Sequence, residues 1–119
     1  MPILLLTTDL MASSKLAAAA QRAGGTMATA LSVQDLFQRL EEQPDAVVVL
    51  DLQTAGLNVA GLVPQLHERP VPPRAILAFG PHVHEAKLAA ARQAGCTEVF
   101  SRGQFHAAAD EVFAKLLQP

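Results

Sequence analysis

The side chains that could do chemistry in this chain are few, and two of them closely follow predicted strands. Asp51 comes directly after Ala46–Leu50, and Arg102 comes shortly after Thr97–Phe100. An aspartate at the end of a strand can accept hydrogen bonds from loop N–H groups. An arginine is a permanent cation that could pair with it. The sequence therefore suggests two structural roles for Asp51, as a loop cap or as the partner of Arg102.

A second polar group follows the first apolar run of the chain. Thr7, Thr8 and Asp9 come directly after Ile3–Leu6 and directly before an Ala-rich stretch. Short polar side chains at such a junction are typical of the start of a loop and of a helix N-cap. On the residues alone, this group begins the first loop and caps the first helix.

The histidines and the cysteine do not form a metal-binding pattern. His82 and His84 make a His-x-His pair near the start of the predicted fourth helix, where positions i and i+2 face apart. His67 and His106 lie in other segments, and zinc sites usually show closer Cys/His spacing. We expect no metal site, and we expect Cys96 to be a buried packing residue rather than a reactive thiol.

No catalytic signature stands out. There is neither a Ser–His–Asp pattern nor a nucleophile elbow. Gly24 and Gly25 follow a predicted helix, whereas the glycines of nucleotide-binding loops precede one. We therefore expect a protein that is not an enzyme and that carries no cofactor.

Composition limits the remaining classes of function. The chain has 119 residues, of which 50% are hydrophobic and 17% are charged, so it can bury a core and is predicted to form a single domain over residues 1–119. Its net charge of -2 is spread without a basic stripe, and it has five Phe but no Trp or Tyr. Direct binding of nucleic acid is therefore not expected.

The cellular setting can be inferred only in outline. One cysteine excludes an intrachain disulfide and suits a reducing cytoplasm. The apolar N-terminal run is too short for a signal peptide. No stretch approaches the roughly 20 apolar residues that span a bilayer. We expect a cytoplasmic protein without a membrane segment.

The elements that must position the polar residues alternate between strand and helix. The unbroken apolar run Ala46–Leu50 predicts a strand that is buried on both faces, and the alternation of strands with helices predicts a parallel sheet covered by helices. The predicted strands are Ile3–Leu6, Thr26–Leu31, Ala46–Leu50, Arg74–Phe79 and Thr97–Phe100.

Helical periodicity or composition fills each gap between the strands. Pro64 indicates that the third helix begins late or kinks, because proline cannot donate the helical hydrogen bond. The first helix is predicted over Met11–Ala23 and the fourth over Val83–Ala94. The second is predicted to begin after Ser32, its N-cap, with Asp35 three residues further on. The buried faces of the other two are predicted from the third-helix residues Val59, Leu62, Val63 and Leu66 and the fifth-helix residues Phe105, Ala108, Ala109, Val112 and Leu116.

Three segments resemble response-regulator receiver domains. Val48–Asn58 (Val-Val-Leu-Asp-Leu-Gln-Thr-Ala-Gly-Leu-Asn) is similar to the receiver strand that ends on the phosphate-accepting aspartate. Ala89–Phe100 (Ala-Ala-Ala-Arg-Gln-Ala-Gly-Cys-Thr-Glu-Val-Phe) is similar to the fourth helix, turn and fifth strand. Ser101–Phe105 (Ser-Arg-Gly-Gln-Phe) is similar to the Lys-Pro-Phe entry to the last helix. The resemblance covers the whole chain and implies a flavodoxin-like three-layer fold with a five-stranded parallel sheet in order 2-1-3-4-5.

The resemblance also assigns roles to positions, and most of them depart from the family. Asp51 matches the phosphoacceptor, and Gln53 matches the position whose backbone carbonyl helps to bind magnesium. The other matching positions carry different residues. Thr7 and Thr8 stand where receivers have acidic residues, and only Asp9 follows them. Phe79 or Gly80 stands in place of the Ser or Thr that ends the fourth strand of receivers. Arg102 stands in place of the lysine that follows their fifth strand.

Phosphoryl transfer to a carboxylate needs a magnesium ion to neutralise the developing charge. Threonines are poor ligands for such a hard cation compared with carboxylates. We therefore expect a degenerate receiver that signals by binding proteins, with no cofactor. In the resembled family the fourth helix, fifth strand and last helix commonly form the dimer surface, here about Pro81–Leu117.

Two alternatives remain open at this point. One is an atypical phosphoacceptor that uses Mg²⁺ and is phosphorylated at Asp51. The other is a small-ligand-binding domain, because flavodoxin-like folds bind ligands at the carboxyl ends of their strands. The loops after Leu6, Leu50 and Phe79 would line such a site.

Overall fold

The computed structural model describes residues 2–118, in which five strands alternate with five helices. The elements are β1 (Pro2–Leu6), α1 (Leu10–Arg22), β2 (Thr26–Ala30), α2 (Val33–Glu42), β3 (Val47–Asp51), α3 (Val59–His67), β4 (Ala75–Gly80), α4 (Glu85–Ala94), β5 (Glu98–Ser101) and α5 (Arg102–Leu116).

The five strands form one parallel sheet in the order β2-β1-β3-β4-β5. The predicted flavodoxin-like architecture is confirmed. Every residue of β3 and β4 is buried, as their unbroken apolar sequences predicted. The edge strands β2 and β5 are only partly buried.

The core has one layer on each face of the sheet, because successive side chains of a strand point to opposite sides. On one face, Leu16 of α1 and Phe105 of α5 pack against β-strand residues such as Val49. On the other face, α2, α3 and α4 cover residues such as Leu50. The carboxyl ends of all five strands lie along one edge of the sheet, where the polar residues singled out by the sequence are found.

The helices begin and end close to the predicted positions, with two differences of consequence. The fourth helix begins at Glu85 rather than Val83, so that His82 and His84 precede it. The third helix begins at Val59 and continues through Pro64, so the expected late start is wrong. Asn58 caps its N-terminus, and the burial of Leu62 and Leu66 offsets the hydrogen bond that Pro64 cannot make.

Within residues 2–118, every helix is too short or too polar to cross a lipid bilayer.

Candidate functional site

The candidate site lies at the carboxyl edge of the sheet, where the ends of β1 and β3 meet the start of α5. Asp51 is the last residue of β3, and β1 and β4 flank that strand on both sides. The residue is therefore only 2% exposed, which is unusual for an aspartate. A buried carboxylate must be hydrogen-bonded or ion-paired.

Both carboxylate oxygens of Asp51 have partners. The Thr7 hydroxyl donates a 2.7 Å hydrogen bond to Oδ2. The backbone N–H of Gln53 donates to Oδ1 at 3.0 Å, and Arg102 Nη2 lies 3.5 Å from the same oxygen. The two roles suggested for Asp51 by the sequence thus coexist, because it caps the loop after β3 and pairs with Arg102.

Arg102 is the first residue of α5, and its guanidinium connects the loop after β1 with the end of β3 and the loop that follows it. Nη1 lies 3.2 Å from Asp9 Oδ2, and Nη2 donates a 2.6 Å hydrogen bond to Gln53 Oε1 as well as approaching Asp51. The guanidinium carbon lies 5.4 Å from the centroid of the Phe79 ring, within the range of a cation–π contact. We call Asp9, Asp51, Gln53 and Arg102 the polar cluster.

Asp9 serves the polar cluster and the first helix together. Its Oδ1 accepts hydrogen bonds from the N–H groups of Met11 and Ala12, so it is the N-cap of α1, while Oδ2 faces Arg102. The hydrogen bond from the Ala12 N–H contributes most to holding the pKa of Asp9 below 3.8. The Met11 N–H and Arg102 lower this pKa further, whereas desolvation raises it. Asp9 is therefore ionised in the polar cluster at neutral pH.

The two threonines that follow β1 have different environments. Thr7 is 1% exposed and is bonded to Asp51, whereas Thr8 is exposed. Gln53 contributes its side-chain oxygen to the polar cluster. The resemblance did not suggest this role, because it concerned only the backbone carbonyl of this position. The position of Gln53 two residues after Asp51 was the only sequence signal for it.

Phe79 lies beside Asp51 and is one of the two positions, with Gly80, at which the resemblance leads one to expect a hydroxyl group. It lies opposite Asp51 in the register of β3 and β4 and is fully buried. Its ring stacks on Phe105, with centroids 5.1 Å apart, and meets the edge of the His106 ring at 5.9 Å. Burial, followed by the charge of Arg102, lowers the pKa of His106 below 6.5, which is consistent with a positively charged neighbour.

The polar cluster does not fit a magnesium ion. Mg²⁺ needs oxygen ligands in near-octahedral geometry and is usually held by one or two carboxylates with waters. Here the two carboxylates, Asp9 and Asp51, both face the guanidinium of Arg102, and Thr7 offers only a neutral hydroxyl already bonded to Asp51. Within the described residues, His, Cys, Asp and Glu form no group of three or more that could hold a metal ion.

The other residues considered for chemistry are dispersed or engaged in packing. His67 Nε2 hydrogen-bonds the carbonyl of Gly95 at 2.8 Å, which ties the end of α3 to the end of α4. Cys96 is half-buried against the core, and burial raises the pKa of its thiol to about 11. It is therefore neither a thiolate nor a nucleophile at neutral pH.

A cleft of about 450 Å³ lies beside the polar cluster, between the loop after β3 and helix α4. Of the three loops expected to line a small-ligand site, only the loop after β3 lines this cleft. Its lining residues are mostly small or apolar: Leu52, Gln53, Thr54, Ala55, Gly56, Leu57, Asn58, Val59, Ala60, Ala86, Lys87 and Ala90.

Comparison with known proteins finds similarity in structure only. No protein-family model and no curated protein sequence matches the chain. Among solved structures, a response-regulator receiver domain from Bermanella marisrubri is 19% identical, with a TM-score of 0.84 and 98% of each chain covered. The receiver domain of NtrX from Brucella abortus is 15% identical, with a TM-score of 0.80 and 97% of each chain covered.

A third similar structure is the beryllofluoride-activated NtrC4 receiver domain dimer. It is 16% identical, with a TM-score of 0.76, and 97% of this chain and 98% of that chain are covered. The chain therefore has the receiver-domain fold over nearly its whole length, as its three resembling segments predicted. At this identity the likeness concerns the fold, and function has to be argued from the site.

Proposed function

We propose that this chain is a non-catalytic signalling module, a receiver-like domain that acts by binding proteins and is not switched by phosphorylation of Asp51. The observation that carries the proposal is the engagement of both Asp51 oxygens, one by Thr7 and the other by Gln53 and Arg102. These hydrogen bonds and the nearby guanidinium draw negative charge from the carboxylate and so weaken Asp51 as a nucleophile.

The charge of the polar cluster also opposes phosphoryl transfer. Two carboxylates and one guanidinium leave a formal charge of -1 around Asp51 (Asp9 -1, Asp51 -1, Arg102 +1). An approaching phosphodonor is an anion, and enzymes that transfer phosphoryl groups neutralise this repulsion with Mg²⁺. Because the residues here do not fit Mg²⁺, the repulsion is left without that compensation.

The surface that supports protein binding is formed by α4, β5 and α5, at about residues 81–117. β5 lies at the edge of the sheet and is only partly buried. The helices on either side expose charges of both signs, with Lys87 and Arg92 on α4 and Glu111 on α5. Such a face can pair with a second copy of itself, because each copy offers both signs. The NtrC4 receiver domain is itself described as a dimer.

The first experiment tests the absence of phosphorylation. The purified chain is incubated with Mg²⁺ and acetyl phosphate, and its intact mass is recorded beside Asp51→Asn and beside a receiver domain that is known to accept phosphate. We expect a phosphoryl adduct on the positive control only, with circular dichroism showing that this chain is folded. An adduct that is lost in Asp51→Asn would establish the phosphoacceptor alternative instead.

The second experiment tests the binding face. Sedimentation over a range of concentrations should show self-association, which Arg92→Glu on α4 weakens by about tenfold or more, as expected for removal of a favourable charge pair. Lys15→Glu, the same charge change on the exposed side of α1, is the matched control and should leave association unchanged. Two results together would argue against this face as a binding surface. The chain would stay monomeric at high concentration, and Arg92→Glu would leave the binding of partner proteins in a pull-down unchanged.

A further inference from the structure

We infer that Arg102 replaces a bound divalent cation, so that the chain itself supplies the positive charge of the polar cluster and excludes metal ions. This inference concerns the charge balance of the cluster and stands whether or not the module binds partners as proposed. It follows from which atoms surround the guanidinium and from how deeply Asp51 is buried.

Three oxygen atoms from two parts of the sequence, the loop after β1 and the end of β3 with its loop, converge on the guanidinium. They are Asp9 Oδ2 at 3.2 Å, Asp51 Oδ1 at 3.5 Å and Gln53 Oε1 at 2.6 Å. Carboxylate and amide oxygens are also the ligands that hard cations prefer. The guanidinium is thus surrounded by the donor atoms that a divalent ion would use, and it bridges the two carboxylates.

Burial of Asp51 favours a positive charge at this place. The side chain of Asp51 is only 3% exposed, and a buried carboxylate without compensation is strongly destabilising. An arginine supplies that charge permanently, because its guanidinium does not lose its proton in proteins. The neutral Thr7 hydroxyl completes the cluster without adding a further negative charge that would call for a divalent ion.

The position of the guanidinium is supported from two other sides. Arg102 contacts the Phe79 ring, and the helix that carries it begins with a capping box between Ser101 and Gln104. Its side chain is 28% exposed, less than the 42% of Asp9. A cation held in this way does not depend on ion concentration, so the carboxyl edge of the sheet should keep one arrangement in chelator and in magnesium.

Mn²⁺ is a suitable probe, because its electron paramagnetic resonance signal reports binding directly. Free and bound Mn²⁺ would be measured with the natural chain and with four variants: Asp9→Asn, Arg102→Met, Arg102→Lys and the double variant Arg102→Met/Asp9→Asn. We expect no saturable binding to the natural chain or to Arg102→Lys. Arg102→Met should bind Mn²⁺ about tenfold more tightly than the natural chain does, with the affinity of a weak oxygen-ligand site. The double variant Arg102→Met/Asp9→Asn should lose this binding.

Two results would overturn the inference. If the natural chain binds Mn²⁺ and Asp9→Asn abolishes that binding, the guanidinium does not exclude metal. If Arg102→Met is folded by circular dichroism and binds no Mn²⁺, the carboxylates are not a latent cation site. Should Arg102→Met fail to fold, the natural chain and its Asp9→Asn variant still decide the question, since Asn also caps helices well. A phosphoryl adduct on Asp51 would contradict the proposed function without producing either result.

Discussion

Thr7 is the residue whose chemistry the sequence least revealed. Its hydroxyl donates to Asp51 Oδ2 at 2.7 Å and accepts a hydrogen bond from the backbone N–H of Asp9 at 3.0 Å. One buried oxygen therefore satisfies a carboxylate of β3 and the loop that leads into α1. A hydroxyl in this position is well suited to hold two charged residues of the polar cluster in place.

Replacement of this hydroxyl should be costly. Thr7→Val keeps the shape of the side chain but leaves the Asp9 N–H and one Asp51 oxygen without this partner. We expect the free energy of unfolding to fall by about 1–3 kcal/mol, the usual effect of an unsatisfied buried polar group. Urea unfolding measures this loss of stability, with Thr8→Val as the control. Because Thr8 is exposed, its substitution should change the free energy of unfolding by less than about 0.5 kcal/mol. Equal effects at both positions would contradict this assignment.

The sequence anticipated part of the polar cluster and missed the rest for a definite reason. The Asp51–Arg102 pair could be suggested because each residue follows a strand, and parallel strands end at a common edge. The side-chain contacts of Arg102 with Asp9 and Gln53 depend on rotamers and on loop paths, to which hydrophobic periodicity is blind. Only strand register distinguishes Phe79 from Gly80 as the neighbour of Asp51.

Among the elements, α5 is the one whose start matters most for the site. β5 ends at Ser101 and α5 begins at Arg102, with no loop between them. Ser101 is the N-cap, and its hydroxyl accepts a hydrogen bond from the Gln104 N–H, while the Gln104 side chain accepts one from the Ser101 N–H. This reciprocal capping box fixes the first turn of α5 and hence the backbone from which Arg102 extends.

Two substitutions in this turn should change the free energy of unfolding in opposite directions. Ser101→Ala removes the cap and should lower the free energy of unfolding by about 1 kcal/mol. Gly103→Ala lies in the same turn with open space around the added methyl group, and should raise it by roughly 0.5–1 kcal/mol through helix propensity. Thermal unfolding of both variants tests the pair. A stabilised Ser101→Ala would mean that the capping box contributes little.

Helix boundaries show where sequence reasoning about elements fails. Apolar spacing did not indicate that α4 starts only at Glu85, because Val83, 70% exposed, contributes to no buried face. The end of the same helix was clear, since Gly95 has a φ of +104°, which glycine adopts without strain. Termination by glycine is a local signal, whereas the start of α4 depends on the loop that leaves β4.

For the whole molecule, the sequence predicted the strand order and both layers of helices correctly. The strand order followed from the resemblance to receiver domains, and the two helical layers followed from the alternation of strands and helices. The sequences agree with this order, because β3 is apolar up to Asp51, its last residue, and the edge strands β2 and β5 carry Thr or Glu. Alternation of strands and helices then leaves few arrangements that obey right-handed crossovers. The surfaces used for binding are not constrained in this way, so they require experiment.

The contacts of the Phe79 ring have a mechanical consequence. Arg102 and Phe105 lie one turn apart on α5, and both contact this ring, which belongs to β4. Phe105 in turn packs against Phe113 two turns further along and against Phe100 of β5. The first half of α5 is therefore packed against the end of β4 through aromatic rings. A displacement of α5 would reach Asp51 through Arg102, whose Nη2 lies 3.5 Å from Asp51 Oδ1, without any change of covalent chemistry.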